Sequence, residues 1–142
     1  MNKTRYHARK AGFRSGFEKT LAEQLDKASV HYKYEEYSIN YYDKAVGYLC
    51  GECGSKECAK ERWYTPDFML DNGIIIEAKG KFTSANRKKH KAIKELHPEL
   101  DIRMVFMRDN WITKNHTIKY SDWCKQEGIE YAIGRIPEEW LV

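Results

Sequence analysis

Two short apolar runs, Phe68-Met69-Leu70 and Ile74-Ile75-Ile76, stand on either side of Asp71-Asn72-Gly73. Apolar runs of this length around an Asp-Asn-Gly turn predict a β-hairpin. Upstream, Phe17, Leu21, Leu25 and Ala28 recur at helical spacing behind Ser15-Gly16-Phe17-Glu18, which fits a capping box, so a helix should begin at Ser15. Val30 to Asn40 alternates aromatic and β-branched residues and reads as one strand, with Val30, Tyr32 and Tyr34 on one face. The pattern then breaks from Tyr41 to Arg62. After the hairpin, Ser84 is an N-cap for a helix whose shared face is Ala85, Lys89, Ala92, Ile93 and Leu96. That helix must stop near His97, because Pro98 follows. Ile102 to Met107 reads as a buried strand, residues 108–120 as a loop, and Ser121 as the start of a short helix closed by Gly128. Ile129 to Ile133 supplies a last strand, Trp140 pins the tail, and Trp111 and Trp123 are core or cover residues. Strand, helix, strand in this order implies a right-handed parallel crossover. The fold class is therefore α/β, a mixed sheet flanked by helices.

The length of the hairpin turn decides whether there is a site. A two-residue Asn72-Gly73 turn pairs Asp71 with Ile74 and puts Asp67 and Glu77 on opposite faces. A three-residue loop with Gly73 left-handed pairs Leu70 with Ile74, so that Asp67 lies opposite Glu77 and Lys79 shares their face. Carboxylates with Cβ atoms about 5 Å apart repel by about 3 kcal/mol at an effective dielectric near 20. A hard divalent cation between them would relieve this, and Lys79 could orient a water or stabilise developing negative charge. The bland reading is an amphipathic hairpin with a solvated outer face. Pro66 before Asp67 and Gly80 after Lys79 favour a site, since neither helps a plain strand.

Composition narrows the class. The chain has 142 residues, 42% of them hydrophobic, enough for one domain with a real core, and 32% are charged. The net charge of +4 is unevenly placed: Met1 to Phe17 carries Lys3, Arg5, Arg9, Lys10 and Arg14 and no acid. Residues 1–14 are thus expected to form a basic arm suited to a polyanion, ahead of a single domain over 15–142. No run of about 18 apolar residues is present, so no membrane span is expected. The N-terminus has no apolar signal core, so a cytoplasmic chain is expected. Cys50-x2-Cys53-Gly, with Cys58 after it, has the spacing of a zinc knuckle inside an insertion at about 41–62. A structural Zn²⁺ is one reading and a loop of free thiols the other. A fourth ligand is not evident nearby; His31, Cys124, an acid or a second subunit could supply it.

Pro66-Asp67 followed by Glu77-Ala78-Lys79 is the P-D…E-x-K pattern of a large nuclease superfamily, weak alone because it is short. Its context is more specific: F-R-S-G-F-E at 13–18, Y-T-P-D-F at 64–68, N-G-I-I-I-E-A-K-G at 72–80, R-K-K-H at 87–90 and H-P-E-L-D-I-R at 97–103. Together these resemble the phage-encoded endonuclease I family of four-way (Holliday) junction resolvases, over residues 13–141. The resemblance implies a restriction-endonuclease-like core and a metal-dependent endonuclease acting on branched DNA in the cytoplasm of a host cell. It implies that Glu18, Asp67, Glu77 and Lys79 are catalytic, with the three carboxylates on one or two Mg²⁺ or Mn²⁺ ions. It implies hydrolysis by an activated water, leaving 5′-phosphate and 3′-hydroxyl ends. It also implies an intertwined homodimer in which Glu18 of one chain completes the partner's site. Phosphate contacts are expected from Arg5, Arg9, Lys10 and Arg14 of the arm and from Arg87, Lys88 and Lys91, extending to Lys94. Two departures stand out: the Cys-bearing stretch where the family has a short bridge, and no basic tail after Trp140. The alternative class is a zinc-bearing nucleic-acid-binding protein whose hairpin carboxylates are inactive.

Overall fold

The computed structural model describes residues 12–43 and 60–142. The hairpin is its centre: β4 (Phe68–Leu70) pairs antiparallel with β5 (Ile74–Lys79). On the outer side β1 (Tyr32–Tyr34) pairs antiparallel with β4, and on the other β6 (Asp101–Phe106) and β7 (Tyr131–Ile133) continue in parallel. The five-stranded mixed sheet runs β1-β4-β5-β6-β7, and β2 (Ile39–Asp43) with β3 (Lys60–Tyr64) forms a separate antiparallel pair. The helices are α1 (Gly16–Lys27), α2 (Ser84–Leu96) and α3 (Tyr120–Glu127), with a 3₁₀ turn at Glu138–Leu141. The expected α/β class and the parallel strand–helix–strand unit are both present.

Strand alternation sorts the core into two sides. Ile74, Ile76 and Ala78 of β5 join Phe68, Leu70 and Val105 against Phe17, Leu21, Ala22 and Leu25 of α1. Met104 and Phe106 point the other way, to Phe82 and to Tyr120 and Cys124 of α3. On that second side Ile93 of α2 packs with Tyr41 and Tyr64, so the β2–β3 pair lies against α2. The C-terminal segment closes the α1 side with Ile136 and Trp140. There the Gln24 side chain donates to the Ile136 carbonyl at 2.6 Å and accepts the Ile136 amide at 2.9 Å. Asn72 in the hairpin turn donates to the Trp140 carbonyl at 2.9 Å. Among the described residues no helix is long and apolar enough to cross a membrane.

Several local expectations change. The strand over 30–40 is two: β1 ends at Tyr34, Glu35 takes the left-handed region at φ 50, and the chain re-enters as β2 in another sheet. Glu35 is held there by its amide, which donates to the Asp67 carbonyl at 3.1 Å. The aromatic alternation runs through both strands, so it carries no mark of the break. Pairing persists to Asp43 and resumes at Lys60, well inside the stretch where the pattern is lost. Ser15 caps α1 as expected, accepting from the Glu18 amide at 3.1 Å. That helix ends one residue before Ala28, which is exposed, and Ala22 is buried in its stead. Thr83 rather than Ser84 caps α2, accepting from the Asn86 amide at 3.2 Å. Its buried residues are His90 and Ile93, while Ala85 and Leu96 are exposed. A polar histidine in the inward stripe shifted the apparent face. Trp111 is exposed, stacked on His116 with the Lys119 ammonium over its ring.

Candidate active site

Gly73 adopts φ +92 and the pairs Phe68–Ile76 and Met69–Ile75 leave Leu70 opposite Ile74. The turn is therefore the three-residue Asp71-Asn72-Gly73 loop, and the same register sets Asp67 across from Glu77. The Asp67 amide donates to Glu77 Oε1 at 3.1 Å, and Asp67 Oδ2 accepts the Ala78 amide at 2.9 Å. Lys79 Nζ lies 3.3 Å from Glu77 Oε2. The two carboxylates and the lysine thus meet at the start of β4 and the end of β5.

Glu77 faces the α2 side and is only 2% exposed. Its Oε1 also accepts the hydroxyl of Tyr64, at the end of β3. Glu18 arrives on α1, where its carboxylate accepts the Tyr34 hydroxyl. Glu18, Glu35 and Asp67 each offer a carboxylate oxygen within 4.8 Å of the others. Arg14 Nε lies 2.9 Å from Glu35 Oε1 at the rim. Glu18 meets Asp67 within this single chain, although residues 44–59 separate the elements that carry them.

Burial gathers negative charge here at a cost, and the proton affinities show it. Burial first, then the charges of Glu77 and Glu18, push the Asp67 carboxyl up to about 8. Glu18 is also raised, chiefly by burial, against the opposing hydrogen bond from Tyr34. Burial and the Glu77 charge hold the Tyr64 hydroxyl protonated, well above the usual phenol range. Lys89, whose ammonium lies over the Tyr64 ring, is lowered by burial. His90 is pushed down to about 3, again mainly by burial, so its ring is neutral. Crowded, hard carboxylate oxygens of this kind fit a hard divalent cation, which would relieve the repulsion.

The four residues singled out from the sequence come together; Glu35, Tyr34, Tyr64 and His90 join them unannounced. Tyr64 and His90 stand inside Y-T-P-D-F and R-K-K-H, so those motifs held a signal, but each also reads as an ordinary core or surface residue. Of the expected phosphate contacts, Lys88 is exposed and Lys91 lies 3.9 Å from Glu127. The Arg87 guanidinium donates to the Phe82 carbonyl, and Lys94 donates to the Glu127 and Gly128 carbonyls at the end of α3. Lys94 is therefore tied to the fold. Arg5, Arg9, Lys10 and the cysteines Cys50, Cys53 and Cys58 lie outside the described residues. Cys124 is fully buried among apolar side chains, and burial pushes its thiol up to about 12.

A mixed α/β sheet that opens on a carboxylate–lysine cluster is consistent with a nuclease core, and so with a hydrolase of phosphodiester bonds. Endonuclease I of Escherichia phage T7 is 39% identical over 135 residues, covering 94% of this chain and 81% of that protein. Endodeoxyribonuclease 1 of Enterobacteria phage T3 is 40% identical over 126 residues, covering 88% and 74%. The chain belongs to the phage endonuclease I family, whose sequence model matches residues 1–142. It is an endodeoxyribonuclease.

Proposed function

We propose that this endonuclease is metal-dependent and selective for branched DNA, cutting four-way junctions by hydrolysis of paired phosphodiesters. The observation that carries the reading is the hairpin register, which sets Asp67 against Glu77 with Lys79 beside them and Glu18 close by. Glu18, Asp67 and Glu77 would hold one or two Mg²⁺ or Mn²⁺ ions, with Glu35 adjacent. Bound there, such an ion acts as a Lewis acid towards a phosphoryl oxygen and makes water a better nucleophile. Lys79 brings a cation to the same edge and suits a non-bridging phosphate oxygen. Tyr64 and the Asp67 amide fix Glu77 Oε1, and the Ala78 amide fixes Asp67, so the carboxylates are aimed before substrate arrives.

Lys88 and Lys91 on α2, Arg14 at the rim and the basic arm (Arg5, Arg9, Lys10) supply the phosphate-binding surface. Cys50, Cys53 and Cys58 bind a structural Zn²⁺. The protein is a homodimer, acting in the host cytoplasm. Glu18 and Glu35 precede residues 44–59 while Asp67, Glu77 and Lys79 follow them. Exchange of the N-terminal part between two copies would therefore preserve every contact of the site. The deciding experiment is cleavage of a synthetic four-way junction with and without Mg²⁺, beside linear duplex of the same sequence, with Glu77→Gln as control and native mass measurement for the dimer. Robust cutting by Glu77→Gln overturns the site assignment. Junction binding without any cutting by the wild type favours a nucleic-acid-binding module instead.

A further inference from the structure

Among the described residues, the only buried side-chain polar atoms without a hydrogen-bond partner are Nδ1 and Nε2 of His90. A neutral imidazole always carries one N–H, and leaving a buried donor unmade costs about 1–3 kcal/mol. An apolar residue in this stripe of α2 would avoid that cost, so the histidine calls for another account.

Its surroundings supply one. The ring stands edge-on to Tyr64, with centroids 5.4 Å apart, so both residues line the back of Glu77. Nε2 lies 4.0 Å from Glu77 Oε2, the same oxygen that Lys79 Nζ approaches at 3.3 Å. Glu77 Oε1 already has two donors, the Tyr64 hydroxyl and the Asp67 amide. Oε2 therefore depends on Lys79, the residue that must turn to a phosphate if it takes part in cleavage. A shift of about 1 Å would bring His90 Nε2 from 4.0 Å into hydrogen-bond range.

We propose that His90 is a positioning residue for Glu77: its Nε2–H takes up Glu77 Oε2 as Lys79 engages the phosphate, and keeps the carboxylate aimed at the site. This rests on the assignment of Asp67, Glu77 and Lys79 as the cutting site. Outer partners of ligating carboxylates typically matter by about 10–100-fold in metal affinity or activity.

Three substitutions test it. His90→Gln places an amide nitrogen where Nε2 stands, His90→Asn places one where Nδ1 stands, and His90→Phe keeps a ring without a donor. The readouts are kcat and KM on a four-way junction in Mg²⁺, Mg²⁺ affinity by calorimetry without DNA, junction affinity in EDTA, and melting temperature. His90→Phe and His90→Asn should lower kcat and weaken Mg²⁺ binding by about 10-fold or more, leaving KM and junction affinity unchanged. His90→Gln should recover most of the loss. Equal behaviour of His90→Gln and His90→Asn, or wild-type kcat and Mg²⁺ affinity in both, overturns the proposal. If His90→Phe does not fold, the Gln and Asn pair still decides. A wild-type protein that neither binds Mg²⁺ nor cuts would sink the site assignment itself, and is told apart because the failure precedes any substitution.

Discussion

Replacing Asp67 by asparagine is expected to abolish cleavage and yet to raise the melting temperature of the metal-free protein at about pH 8. The Asp67 carboxyl, ordinarily near 3.9, is pushed up to about 8 by burial and by the charges of Glu77 and Glu18. The folded value is the higher one. The stability that goes with a protonated Asp67 is therefore fully present below about pH 4 and is lost as pH rises through about 8. The ceiling on that loss is on the order of 5 kcal/mol. Oxygens within 4.8 Å at an effective dielectric near 20 give about 3 kcal/mol for each ionised pair. Glu18, whose carboxyl is raised as well, shares the strain, so a gain of about 1–3 kcal/mol is expected for the asparagine variant. Asparagine keeps an oxygen for the Ala78 amide, now met at 2.9 Å, so the local geometry is retained. The shift should read as roughly 3–10 °C at about pH 8 and fade towards zero only near pH 4. Thermal unfolding followed by circular dichroism in EDTA over this range is the assay. Adding Mg²⁺ should stabilise the wild type more than the variant. A melting difference that does not change with pH, or a variant less stable than wild type at the alkaline end, would refute the account of crowded charge.

Other outcomes follow from particular contacts. Tyr64→Phe removes a buried donor to Glu77 and should cost about 1–3 kcal/mol of stability together with a fall in kcat, measured by denaturant titration and junction cleavage. Gln24→Ala breaks both hydrogen bonds to Ile136 and should destabilise by a similar amount, about 1–3 kcal/mol, again read by denaturant midpoint. Elemental analysis of purified protein should find about one zinc per chain, and less than about half would end the zinc reading of Cys50, Cys53 and Cys58. Deleting residues 2–10 should flatten the salt dependence of junction binding; an unchanged slope would remove the arm from the phosphate contacts.

How far the sequence reached depended on what kind of information each feature needs. The hairpin register was open between two turn lengths, because spacing alone does not set the backbone of Asn72 and Gly73. Gly73 at φ +92 resolves it. Apolar runs beside turn residues located the strands of the five-stranded sheet and helical spacing the three described helices, whereas β3 lay in the stretch where the pattern is lost. The break at Glu35 escaped, because a left-handed residue held by a distant carbonyl leaves no trace in hydropathy. His90 escaped for a related reason: a polar residue in an inward stripe looks like the edge of a solvated face. Glu18 had an adequate local explanation as a cap. Only its neighbours from β1 and β4, far along the chain, make it part of a charged cluster.

The Gln24–Ile136 amide pair has a consequence for how the protein comes into being. A ribosome that has reached Lys79 has already made Glu18, Asp67, Glu77 and Lys79, the four residues proposed to cut. The helix that carries Glu18 nevertheless closes against a segment that is translated much later, beside the tryptophan that covers the same side of the sheet. The α1 side of the sheet is therefore closed only once Ile136 and Trp140 have been made.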